Sequence, residues 1–342
     1  MQNSLKNALL KVMEQKDLAQ EEMAEVMEVI MSGQATPAQI AGFLVALRMK
    51  GETVNEIIGA ARVMRRHSQS ISVQLSKDEV LLDTCGTGGD GASTFNISTT
   101  AAFVVAASGI KVAKHGNRAV SSRSGSADVL EALGVNIAMS PEQVAECIQT
   151  IGIGFLFAQA LHPSMRHAAV PRRELGIRTL FNLLGPLTNP ASANVQLVGV
   201  YDSSLCMPIA RALAGLGARR AWVVHGPNGM DELGLSGSNT VAEWNGTDCR
   251  DFQFSCEEVG LNKAPLDAIK GGDAQENADI CRAVLSGQRG PAADVVALNA
   301  GAAIYLGGKA ADLKKGIALA QEILASGKGL EKLNELIAAG RG

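Results

Sequence analysis

"LLDTCGTGGDGASTFNIST", residues 81–99, decides how the chain is read. An apolar run, Leu81-Leu82, leads into Gly86, Gly88, Gly89 and Gly91, set around a single acid, Asp90. A glycine-rich turn after a strand commonly cradles phosphate on backbone N–H groups, so a carboxylate at its centre needs its own explanation. Gly86, Gly88 and Gly91 match the dinucleotide spacing G-x-G-x-x-G, yet Ser93, Thr94 and Asn96 delay the next helix to about Ser98. The next apolar stretch, "IKVA" at 110–113, runs into Lys114-His115 where a ribose-binding acid would stand, which argues against a nicotinamide cofactor. Ala92-Ser93 occupies the place of Lys-Ser/Thr, which excludes a Walker A loop. A plain turn at a sheet edge would need fewer glycines.

A second loop, "KHGNRAVSSRSGSADVLEALG" at 114–134, follows the next strand and precedes a helix starting near Ser126. Lys114, Arg118 and Arg123, with Ser121, Ser122 and Ser126, gather cations and hydroxyls at that helix N-terminus, where dipole and charge-assisted bonds favour an anion. Alone, such a run reads as an ordinary solvated face. Loops after neighbouring parallel strands share one crevice, however, and two phosphate loops there suit a ligand phosphorylated at both ends. A third loop, "HGPNGMDE" at 225–232, follows the run "AWVVH" and ends in Asp231-Glu232. Adjacent loop acids usually face solvent; beside a polyphosphate they supply the hard oxygen ligands that Mg²⁺ requires. His225 reads as structural, with no His or Cys at ligand spacing.

The 342 residues are 46% apolar and 19% charged with net charge −3, so no global field draws the chain onto nucleic acid or an anionic membrane. No apolar run approaches a bilayer span, and the N-terminus lacks a signal peptide's hydrophobic region. Six scattered cysteines with no C-x-x-C pair suggest a reduced, cytoplasmic protein. Met23, Val26, Met27, Ile30 and Met31 recur at helical spacing and read as core. "TPAQ" at 36–39 and "TVNE" at 53–56 are capping boxes, so the first 70 residues read as helical. Beyond residue 78, the runs "VLLD", "IKVA", "VNIAM", "IGFLFA", "VQLVGVY" and "AWVVH" alternate with helical segments, predicting an α/β fold with a mainly parallel sheet flanked by helices. The helical 160–190 stretch is expected to pack on the N-terminal helices. The expected division is a small all-helical domain, 1–72 with a contribution from about 165–190, and a larger α/β domain, 73–342.

With these residues in view, the chain resembles the anthranilate phosphoribosyltransferases, of the nucleoside-phosphorylase-like phosphoribosyltransferase superfamily, over nearly its whole length. The likeness is carried by "GTGGD" (86–90), "NIST" (96–99), "KHGNRAVSS" (114–122), "RRELGIRTLFNLLGPLTNP" (172–190) and "MDE" (230–232). It implies transfer of a phosphoribosyl group from phosphoribosyl pyrophosphate to the amine of anthranilate, as in tryptophan biosynthesis. Gly86, Gly89, Asp90, Thr94, Asn96, Ile97, Ser98 and Thr99 would hold the sugar phosphate, with Lys114, His115, Gly116, Asn117, Arg118, Ala119, Val120, Ser121, Ser122 and Ser126 completing the grip. Lys114 and Asp90 would act catalytically, Asp90 by accepting from ribose hydroxyls or metal-bound water. Gly86, Asn117 and Arg172 would contact anthranilate, with Arg172 or its neighbour Arg173 on the carboxylate. Ser98 with Glu232 would hold one Mg²⁺ and Asp231 with Glu232 a second, two per subunit. His115 and His162 are either late proton acceptors or structural.

The resemblance also implies hinged domains, a homodimer joined through helical domains and a possible anthranilate synthase partner, without nucleic acid or membrane. Rival readings are a pyrimidine nucleoside phosphorylase and a non-catalytic nucleic-acid-binding relative. The arginine-bearing 172–190 segment disfavours the former; the net charge and intact Asp231-Glu232 disfavour the latter.

Overall fold

The computed structural model describes residues 2–119 and 123–341. The chain begins with α1 (Gln2–Met13), α2 (Gln20–Met31), α3 (Pro37–Lys50) and α4 (Val54–Arg66). At α3, Gln39 N donates to Thr36 Oγ1 at 3.3 Å and Thr36 N donates to Gln39 Oε1 at 2.9 Å, with Pro37 opening the helix. Thr53 and Glu56 repeat this exchange at α4. Glu56 is fully buried and also accepts from Leu18 N (2.9 Å) and Lys50 Nζ (3.0 Å), tying α4 to the α1–α2 turn and the end of α3. Met23, Val26, Met27, Ile30 and Met31 are all buried, so the methionine stripe is core.

The α/β part runs β1 (Leu81–Gly86), α5 (Ile97–Ala107), β2 (Lys111–Gly116), α6 (Ser126–Ala132), α7 (Pro141–Thr150) and β3 (Ile153–Phe157). It continues through α8 (Ala158–Leu161), α9 (Arg166–Leu175), α10 (Leu180–Leu184), β4 (Val195–Gly199), α11 (Cys206–Gly215) and β5 (Arg220–His225). Strands β6 (Ser238–Trp244) and β7 (Cys249–Ser255) precede α12 (Ala274–Leu285), α13 (Pro291–Leu306), α14 (Leu313–Ser326) and α15 (Lys328–Ala339). The strands lie in the order β3-β2-β1-β4-β5-β6-β7; β1 to β5 are parallel, and β6 and β7 extend the edge antiparallel. Strand order reverses between β1 and β4, the place where open α/β sheets bind ligands.

Both faces of the parallel strands are covered, which explains why they read as unbroken apolar runs. Leu197, Trp222 and Val224 join the core under α5 and α13. Cys85, Val198, Val200, Ala221, Val223 and Ala242 alternate with them onto α11, and their cluster continues into the N-terminal bundle. Ala168, Leu180, Phe181, Leu183, Leu184 and Leu187 belong to that second cluster, so the 165–187 stretch packs on the helices, as its sequence suggests.

Two local readings change. The run Val135–Met139 is not a strand. Val135 N returns to Leu130 O (2.9 Å) and Asn136 Oδ1 accepts from Ala138 N (3.0 Å), so a side-chain-closed turn takes this backbone out of any ladder although Val135, Ile137 and Met139 are buried. The β6–β7 hairpin escaped the apolar-run reading because its alternation is half polar. Its signal is Asn245-Gly246, where Asn245 Oδ1 accepts from Thr247 N (2.9 Å) and Asp248 N (3.0 Å). Among the described residues, no helix is long and apolar enough to cross a membrane.

Candidate active site

The site forms where the acidic loop crosses the carboxyl ends of β1, β4 and β5. The crossing needs glycine at each strand end. A methyl on Gly86 would overlap Asp231 Oδ2, one on Gly199 the Asp231 carbonyl oxygen, and one on Gly226 the Glu232 carbonyl oxygen. Drawn in this close, Asp231 Oδ2 accepts from Gly88 N at 2.7 Å and Glu232 Oε1 accepts from Ser98 N at 3.1 Å. The glycine loop bends to meet them: Gly88, Gly89 and Gly91 all have φ near +70° (68°, 74° and 73°).

Asp90 now has its explanation. Its Oδ1 accepts from Ala92 N (3.1 Å), closing the glycine loop on itself, and its Oδ2 accepts from Asp231 N (3.3 Å), pinning that loop to the acidic one. Both oxygens are therefore engaged by backbone N–H groups, with one lone pair on each left for a hydroxyl or a water.

Asp90, Asp231 and Glu232 bring negative charge together on the crevice floor. Burial, then repulsion from Asp90 and Glu232, pushes the Asp231 carboxyl well above the usual range. Burial raises Glu232 to about 7, opposed chiefly by the Lys114 ammonium. Each side chain is partly open to the crevice but ringed by protein elsewhere, which is why burial dominates both. Among the described residues, no trio of His, Cys, Asp or Glu is close enough to cage a metal by itself. Hard oxygen donors with uncompensated charge fit Mg²⁺, which keeps waters and shares phosphate oxygens.

The predicted cation cluster does not converge. Lys114 is 4% exposed, and its Nζ donates to the carbonyls of Thr84 and His115 beneath the strand ends. Arg118 turns to α6, pairing with Asp128 (2.8 Å) and Glu131 (2.9 Å) and lying 5.8 Å from the Phe157 ring centroid. Asp128 at the third helical position also accepts from Gly125 N and Ala119 N (2.9 Å each), so the carboxylates of α6 claim this arginine and the helix N-terminus. Arg123 is exposed, 3.8 Å from Glu276. Val120, Ser121 and Ser122 lie outside the described residues.

The two loops nevertheless meet. Asn96 Nδ2 donates to Ser124 O (3.4 Å), while Asn96 Oδ1 accepts from the buried Asn277 (2.9 Å). Ser126 Oγ accepts from Asn117 N (3.0 Å), and the missing side chain of Gly116 leaves room for that hydroxyl. Thr94 bridges to Lys270. Ile97 and Thr99 are buried in α5.

The two histidines face each other in the interior. His115 Nε2 lies 3.3 Å from His162 Nε2. Burial, His162 and Lys114 lower His115 to about 3, and burial lowers His162 to about 4. Both shifts favour the neutral imidazole.

On α9, Arg172 is half-buried, with its guanidinium 5.3 Å from the Phe181 ring centroid. Burial lowers its pKa, and no carboxylate among the described residues offsets that. Arg173 is exposed. The residue that the sequence reading missed is Arg178. Its Nη2 donates to the Gly89 carbonyl and its guanidinium stacks 4.0 Å from the Tyr201 ring centroid, joining the arginine-bearing segment to the glycine loop. The only sequence signal was a third arginine in "RRELGIR".

This architecture is shared with known proteins. Residues 78–330 match a family profile described as "Glycosyl transferase family, a/b domain", and residues 6–68 one described as "Glycosyl transferase family, helical bundle domain". The chain is 54% identical to the anthranilate phosphoribosyltransferase of Geobacter sp. (strain M21), covering 98% of both chains. A crystal structure of that enzyme from Thermus thermophilus superposes with a TM-score of 0.93 at 50% identity, covering 98% of this chain and 99% of that one. The Saccharomyces cerevisiae enzyme in complex with PRPP and Mg gives a TM-score of 0.90 at 31% identity, covering 100% and 99%. Matched in sequence and in fold over nearly its whole length, the chain belongs to the anthranilate phosphoribosyltransferase family.

Proposed function

We infer that the chain transfers the phosphoribosyl group of phosphoribosyl pyrophosphate to the amine of anthranilate and releases pyrophosphate, the reaction for which its family is named. One observation carries this reading: glycine loop, basic loop and acidic loop meet at the β1/β4 switch point, joined by Asp231 Oδ2 to Gly88 N and by Asn96 Nδ2 to Ser124 O. A nucleoside phosphorylase or a nucleic-acid-binding relative gains no support from the proteins it resembles.

The chemistry asks for positioning more than for a base. Bond cleavage at C1 of the ribose builds positive charge on the sugar and negative charge on the departing pyrophosphate. The glycine loop and the α5 N-terminus are held in place before the reaction by Asp231, Asp90 and Glu232, and a preorganised donor aimed at developing charge is worth roughly 3–4 kcal/mol. Anthranilate's aromatic amine is already neutral, which accords with two buried histidines at about 3 and about 4. Holding the amine against C1 then supplies much of the rate. When bound, Mg²⁺ supplies positive charge against the pyrophosphate oxygens.

Within this reading, Glu232 and Ser98 hold one Mg²⁺ and Asp231 with Glu232 a second, supported by the shared negative charge of the acidic pair. Arg172 takes the anthranilate carboxylate, supported by its half-buried guanidinium and the exposure of Arg173. Lys114 acts through its field on Glu232 rather than by touching phosphate. The protein works as a homodimer in the cytoplasm. Exposed Leu10, Met13 and Met49 on the packed helices α1 and α3 support the dimer, and free cysteines support a reducing compartment. The helical part, residues 1–72 with about 165–190, closes on the α/β part, 73–342, when substrates bind.

Mixing protein, phosphoribosyl pyrophosphate and Mg²⁺ with anthranilate tests the assignment. Anthranilate fluorescence is expected to disappear as pyrophosphate accumulates. Fluorescence that persists with all components present would refute it.

A further inference from the structure

The ladder between β1 and β2 stops early. Leu81 pairs with Lys111 and Leu82 with Val112, and no pair follows, although β1 stays paired to β4 as far as Gly86 and β2 to β3 as far as Gly116. Continued in the same register, Thr84 would lie opposite Lys114, with its N–H bonded to Ala113 C=O and its C=O to His115 N–H. Three side chains intercept these groups. Asn189 Nδ2 donates to Ala113 O at 2.9 Å, Asp83 Oδ1 accepts from His115 N at 3.0 Å, and Lys114 Nζ donates to Thr84 O. The set is closed by Asn189 Nδ2 donating to Asp83 Oδ2 at 2.8 Å, while Asn189 Oδ1 accepts from Ala191 N at 2.9 Å.

Asp83 is wholly buried, Asn189 is 2% exposed and Lys114 4%. A buried carboxylate is retained at a cost unless it is paired and hydrogen-bonded, and here Lys114 faces it as counter-charge. Such a group inside a sheet is expensive as a substitute for a ladder that backbone alone could make. Its location explains the exchange. The ladder opens directly below the loops that follow β1 and β2, the two loops that must admit a sugar phosphate between them.

The geometry points to Asn189 and Asp83 as positioning residues: their side chains wedge the carboxyl ends of β1 and β2 apart and so set the width of the phosphoribosyl pyrophosphate crevice. The inference rests on the phosphoribosyl-transfer reading. Asn189 reaches the wedge from the 172–190 segment, so the stretch bearing Arg172 and Arg178 also fixes the spacing of the phosphate loops. Lys114 lies in the wedge and also faces Glu232, which links loop spacing to the acidic pair.

Steady-state kinetics of full-length Asn189→Ala and Asp83→Asn tests this. Asp83→Asn keeps the shape but sets an amide donor against Asn189 Nδ2. In folded variants, KM for phosphoribosyl pyrophosphate is expected to rise about ten- to hundredfold while KM for anthranilate stays unchanged, because misplacement by about 1 Å carries penalties of that order. Equal loss on both substrates, or an unchanged KM for the sugar phosphate, would overturn it. Should neither variant fold, a crystal structure of the unmodified protein with phosphoribosyl pyrophosphate decides. Ala113 C=O held by Asn189 supports the wedge, and Ala113 C=O held by Thr84 N–H overturns it. Unmodified protein inactive in the same assay would sink the transferase reading itself, a separate outcome.

Discussion

Gly199 and Asp231 touch so closely that a methyl on the glycine would occupy the position of the aspartate's carbonyl oxygen. The end of β4 and the acidic loop therefore share one fixed separation, and that separation delivers Asp231 to Gly88 and Glu232 to Ser98. Gly199→Ala is expected to push the acidic loop outward, lowering kcat by about a hundredfold and stability by about 1–3 kcal/mol. Turnover with a Mg²⁺ titration checks it. An active variant with normal metal dependence would show that the loop does not need this seat.

Glu232 makes a pH-dependent prediction whose sign is fixed. Its folded-state pKa, about 7, lies above the ordinary 4.5, so the folded protein retains a proton that the unfolded chain releases. This contribution to stability is fully present below pH 4.5 and is lost as pH rises through about 7. Glu232→Gln keeps an acceptor for Ser98 N and removes the charge. Without metal, it is expected to melt higher than the unmodified protein above pH 7, by on the order of 1 kcal/mol after allowing for solvent access, and to be inactive. Equal melting of the two above pH 7 would remove the repulsion from the account.

Replacing both acids, Asp231→Asn with Glu232→Gln, is expected to abolish most turnover and to flatten the Mg²⁺ dependence of what remains. Isothermal titration of Mg²⁺ with phosphoribosyl pyrophosphate present reads this. Undiminished metal binding would place the metal elsewhere.

Arg172→Ala is expected to raise KM for anthranilate about ten- to hundredfold and leave that for the sugar phosphate nearly unchanged, since a charge-assisted carboxylate contact is worth about 1.5–3 kcal/mol. A parallel rise from Arg173→Ala instead would transfer the role to the exposed neighbour.

Arg178→Ala removes the donor to the Gly89 carbonyl and the stack on Tyr201. The glycine loop loses its outer support, so KM for phosphoribosyl pyrophosphate is expected to rise about tenfold, more than KM for anthranilate. Initial-rate kinetics with each substrate varied in turn would expose the reverse pattern.

Much of this was legible in the sequence because local signals carried it. Capping boxes at Thr36 and Thr53, apolar runs at strand length and a glycine cluster after β1 each depend on residues a few positions apart. What could not be read depends on partners far along the chain. Lys114 and Arg118 look alike as basic loop residues, yet one is buried under Thr84 and the other is claimed by Asp128 and Glu131. That Asp90 also holds Asp231 N shows only once the acidic loop is found beside it, and Arg178 is silent until Gly89 is seen beneath it. Val135–Met139 carries strand-like apolar residues, but Asn136 closes a turn that periodicity does not report.

A crystal of the protein grown with phosphoribosyl pyrophosphate, Mg²⁺ and anthranilate tests whether these distant segments form one pocket. The sugar phosphate is expected between the 86–91 loop and the 114–126 segment, with metal at Glu232 and the aromatic carboxylate at Arg172. A sugar phosphate bound to only one of those loops, or bound away from the ends of β1 and β4, would contradict it.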